Sequence, residues 1–123
     1  MLSSIFFVSG DPAVAKATVN HLLTQRGFTL RYSDPATGLA ERGSKGATIA
    51  VGAFSGKSQH LRVRLSFRPD PYGNTAVSLA SDTTGIAAGL IGVGRANEAY
   101  SELFGAIRAT FAMAGVLLGE QVS

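Results

Sequence analysis

The chain contains no cysteine, which excludes a disulfide framework and any thiolate metal site or nucleophile. Charge is also scarce. Only 15% of the 123 residues are Asp, Glu, Lys or Arg, whereas 46% are hydrophobic, a balance opposite to that of disordered chains. The chain is therefore expected to fold on its own. No uninterrupted apolar run approaches the roughly 20 residues needed to span a bilayer. The opening stretch Met1-Leu2-Ser3-Ser4-Ile5-Phe6-Phe7-Val8 lacks a basic segment, and its apolar run is too short for a signal peptide. A cytoplasmic location is the expectation. His21 and His60 form no metal-ligand spacing such as two histidines four apart on one helix. No metal and no cofactor are expected.

What is present fits one α+β domain over residues 1–123. Ile5–Val8 reads as a short strand. Asp11 and Pro12 then supply an N-cap and a first helical residue, Ala15, Val19, Leu22 and Leu23 recur at helical spacing, and Gly27 stands where a left-handed terminator belongs. Phe28–Tyr32 alternates with period two and reads as a second strand. The polar, glycine-bearing stretch from Ser33 to Gly46 reads as turn and loop, followed by a third strand over Ala47–Phe54 and a hairpin turn at Ser55–Ser58.

Leu61–Arg68 gives the clearest alternation, and Thr75–Ala80 follows it after a turn built from Pro69 to Asn74. Tyr100, Leu103, Phe104, Ile107, Phe111, Ala114 and Leu118 recur at steps of three and four. They predict a long amphipathic helix from near Asn97 to Gly119, with close packing expected to offset Gly105 and Gly115. The resulting order, β-α-β-β-β-β-α, implies one mainly antiparallel five-stranded sheet with both helices on one face. It resembles the order of TATA-binding-protein-like folds, a likeness of topology alone.

Two segments imitate phosphate-binding loops and fail on physical grounds. Gly52-Ala53-Phe54-Ser55-Gly56-Lys57-Ser58 has three residues between its glycines where a P-loop has four, and it leads into a strand instead of a helix. Gly89-Leu90-Ile91-Gly92-Val93-Gly94 has the glycine order of a dinucleotide loop reversed and follows the last strand. Asp34, Glu41, Asp70 and Asp82 lie in or beside loops, where acids serve turns and solubility. No sequential arrangement of nucleophile, base or paired carboxylates marks an enzyme.

Two surfaces remain. Arg62, Arg64 and Arg68 share one side of their strand, with Arg31 on a neighbour, so a sheet face rich in arginine is expected. It offers a route to polyanions or nucleic acid, although it lacks the aromatic platforms of many single-strand binders. The formal charge of +3 favours such partners only weakly. The second surface is the uncharged, glycine-rich connection Thr84–Gly94, whose Ile86, Leu90, Ile91 and Val93 either bury against the core or form a contact. The leading reading is a non-enzymatic binding or assembly module that pairs with itself as a homodimer. Polyanion binding is the alternative, and a small molecule held between sheet and last helix is a third.

Overall fold

The computed structural model describes residues 2–43, 61–82 and 90–122. The first strand, β1 (Ser3–Val8), buries Ser4, Phe6 and Val8 and turns Ser3, Ile5 and Phe7 the other way. The first helix, α1 (Pro12–Gln25), starts where the caps predict. The Asp11 carboxylate accepts the Ala13 N–H at 2.8 Å, and Ala15, Val19 and Leu23 form the buried stripe. Gly27, at φ +88°, turns the chain out of the helix.

The second strand, β2 (Thr29–Asp34), runs two residues beyond its predicted end. The next element corrects the sequence reading, because Thr37–Arg42 is a strand, β3, and not a loop. The Asp34 side chain accepts the N–H groups of Ala36 and Thr37 at 2.7 and 2.8 Å, so the reversal is complete within a few residues. The strand carries little apolar alternation because its inward positions are Gly38 and Ala40. Gly38 lies under the Tyr32 ring: a Cβ there would come within 2.6 Å of the ring and 2.9 Å of the Arg31 carbonyl. Tyr32 is held in place by the hydrogen bond its hydroxyl donates to Asn20 and by Lys16, whose ammonium sits 4.0 Å from the ring centroid. The strand expected over Ala47–Phe54, with its hairpin turn, lies outside the described residues.

The fourth strand, β4 (Leu61–Pro69), and the fifth, β5 (Thr75–Ser81), stand as the alternation predicts, joined by a turn in which Asp70 accepts the Tyr72 and Asn74 N–H groups. The second helix, α2 (Leu90–Met113), begins earlier and ends earlier than predicted. Gly115 is not within it. At φ +75° it closes the helix, with its own N–H bonded to the Ala112 carbonyl and the Val116 N–H bonded to the Phe111 carbonyl. The chain then forms a sixth strand, β6 (Leu117–Val122), where the sequence suggested more helix.

Among the described residues the sheet has six strands, not five, in the order β2-β3-β4-β5-β1-β6, and the described pairs are all antiparallel. β1 lies inside it, paired with β5 on one edge and β6 on the other. Helix α1 lies against β2, β4 and β5, and α2 against β1 and β6. Both cover the same face. There Phe6, Val8, Val63, Leu65, Phe67, Val77 and Leu79 meet Val19 and Leu23 of α1 and Tyr100, Leu103, Ile107 and Phe111 of α2. Each such side chain contributes roughly 1.5–3 kcal/mol by leaving water.

Gly38→Ala tests the close approach at β3. The methyl meets both ring and backbone, so a loss of about 1–3 kcal/mol is expected in urea unfolding; an unchanged midpoint would show that the ring can move aside.

Candidate binding face

With both helices on one side, the pleat sends every second residue of the sheet to the other side, where no described element covers it. The register places these residues in rows. Arg31, Leu39, Arg64, Ala80 and Ser3 stand side by side across β2, β3, β4, β5 and β1. The neighbouring row runs Thr37, Ser66, Ser78, Ile5 and Gln121 from β3 to β6. Small side chains therefore occupy the middle of the face, and they leave a shallow cavity of about 300 Å³ lined by Ser3, Thr37, Arg64, Ser66, Ser78 and Gln121, among others.

The four arginines singled out from the sequence do share this face, but carboxylates lie among them. Arg62 Nε is 3.5 Å from Glu41 Oε2, its cross-strand neighbour. Arg64 Nε donates to Asp82 Oδ2 at 3.1 Å. Arg68 reaches the Thr37 hydroxyl at 3.4 Å, and Arg31 is exposed on the edge strand. The face is thus a mixed-charge surface around a hollow whose accessible lining is mostly apolar. Of the apolar quartet, Ile86 lies outside the described residues, and Leu90, Ile91 and Val93 fall in the opening turns of α2, so the end of the predicted connection is helix.

The acids divide in a way that sequence reasoning did not foresee. Asp34 and Asp70 serve turns as expected, whereas Glu41 sits within β3 and Asp82 is only 7% exposed. A buried carboxylate requires charged or hydrogen-bonded company, which the arginine alternation of β4 supplies. The buried Tyr100 belongs to the same end of the sheet. Its hydroxyl accepts the backbone N–H of Arg62 at 2.9 Å, which serves a β4 amide from the helix layer. Burial pushes the Tyr100 phenol above its ordinary 10.0; the Arg62 N–H pulls it back, and the Asp82 charge raises it further.

Among the described residues no cluster of three or more His, Asp or Glu is placed to hold a metal ion, and no helix is long and apolar enough to cross a membrane. His21 is exposed on α1, and His60 lies outside the described residues, as does the glycine-lysine segment at 52–58. The chain matches no protein-family model and no curated protein. What the fold and the face define is an α+β protein with a one-sided antiparallel sheet.

Tyr100→Phe removes the acceptor and leaves the Arg62 N–H buried without it. A loss of about 1–3 kcal/mol at neutral pH is expected in urea unfolding. Because the folded protein holds the phenol proton more tightly than the unfolded chain, the stability this gives is fully present below pH 10 and is lost as pH rises through the folded value. The Phe variant should show a shallower alkaline loss. An equal slope in both proteins would contradict that role.

Proposed function

We propose that this chain is a non-enzymatic binding and assembly module that associates with a second copy of itself. One observation carries the reading: among the described residues, a six-stranded sheet carries both helices on one face, with a shallow hollow at the centre of the other. Half-buried Ile5, Phe7 and Leu39 flank small serines and alanines there, which suits contact with another protein surface better than solvent alone. Closed two-fold pairs are the commonest assemblies of identical chains. The cytoplasmic location and the absence of a cofactor belong to the same reading. Ile86, Leu90, Ile91 and Val93 are the contact suggested by the sequence for the pair.

The runner-up is polyanion or nucleic-acid binding by Arg31, Arg62, Arg64 and Arg68. It draws on the four side chains sharing one face, and it is weakened by Glu41 and Asp82, which already engage Arg62 and Arg64. The third reading, a small molecule between the sheet and α2, has the weakest support: the cavity lies on the opposite face, and the helix side is occupied by packed core residues.

Sedimentation equilibrium over a wide concentration range tests the leading reading, with a reversible dimer as the expected result. A monomer at the highest concentration, together with DNA or RNA binding that weakens steeply with added salt, would replace it with the polyanion reading.

A further inference from the structure

Two strands end the sheet, and their edges are unlike. β2 presents exposed Thr29, Arg31, Ser33 and Asp34, charged and polar in the manner that keeps a strand edge from pairing. β6 has no lysine, arginine or proline. Its one charge, Glu120, is turned inward onto Arg108 of α2 at 2.9 Å, and the carboxylate side chain is only 21% exposed. Leu118 and Val122 are 57% and 64% exposed, and Met113, at the end of α2, is 89% exposed. Among the described residues no strand pairs the outer side of β6.

The helix above this edge has a matching character. The Arg108–Glu120 ion pair fixes which flank of α2 overlooks β6. At 100° per residue, Ser101, Gly105 and Ala112 fall within about 60° of Arg108 on that flank. A Cβ built on Gly105 would meet nothing within 4 Å. The glycine therefore costs helix propensity without relieving any contact with the described chain. A second helix lying alongside would need that space.

We propose that a second copy of the chain adds antiparallel across the outer edge of β6, continuing the sheet through both copies and bringing the two α2 flanks together. This rests on the self-association reading above and places the pairing at the edge of the sheet, leaving its open face outside the contact. The occupant is a second copy because an antiparallel edge is complementary to itself and closes after two chains. Its only acid is also neutralised within each copy, so the pairing brings no uncompensated like charges together. The backbone groups of β6 supply the bonding, and Leu118, Val122 and Met113 supply the apolar margin.

The experiment is sedimentation equilibrium of the wild type, Leu118→Lys, Gly105→Leu and the double variant Leu90→Asp, Ile91→Asp, each checked for folding by circular dichroism. Leu118 is exposed and Gly105 has open space around it, so both single variants are expected to fold with the wild-type spectrum. The wild type should be a dimer, and both single variants should dissociate on the order of tenfold or more readily. A wild-type dimer unaffected by either single variant overturns the β6 route while leaving self-association standing, all the more so if the double variant alone separates it. A wild type that stays monomeric overturns route and reading together.

Discussion

β1 is paired along both edges, and the rest of the fold depends on that. It receives β5, the end of the meander that begins at β2, and it receives β6, the last described strand. Its inward residues Phe6 and Val8 lie within the core shared with both helices. The same pleat sends Ser3, Ile5 and Phe7 outward, so the strand that anchors the core also builds part of the open face. Once β1 is interior and both helices pack on one side, the other side of the sheet has no further described cover.

The open face has a division of labour along its length. At the β2–β4 side, arginines alternate with acids, and the pairing of Arg64 with the nearly buried Asp82 ties the exit of β5 to β4. Arg64 is itself well exposed, so the Coulomb term is screened, and the contact matters chiefly as company for a carboxylate out of water. Toward β1 and β6 the face carries no charge in its rows: Ser78, Ile5 and Gln121 follow one another. A partner meeting the whole face would encounter polar, mixed-charge contacts at one side and neutral ones at the other.

Elements with a local chemical signal were legible in the sequence. The first helix was marked by Asp11, Pro12 and Gly27, and β4 and β5 by alternation, and the structure has them at those places within a residue or two. The misses have physical causes. β3 was hidden because its inward residues are Gly38, which lies under Tyr32, and Ala40, which leaves little hydrophobic alternation. β6 was hidden because Leu118 continued the three-and-four spacing of the preceding helix, while the left-handed turn at Gly115 ended it. The arginine face was readable from period two alone, but its neutralising partners were not. Pairing Glu41 with Arg62 requires the β3–β4 register, and the burial of Asp82 requires the fold.

On the proposal that β6 pairs with a second copy, the sheet is finished at β2 and unfinished at β6. Amide hydrogen exchange at high and low protein concentration measures that directly, with the two edge strands as each other's control. The outward-facing amides of β6 should exchange slowly in the concentrated sample and quickly after dilution, while those of β2 exchange quickly in both. Equal, concentration-independent exchange along both edges would contradict the claim.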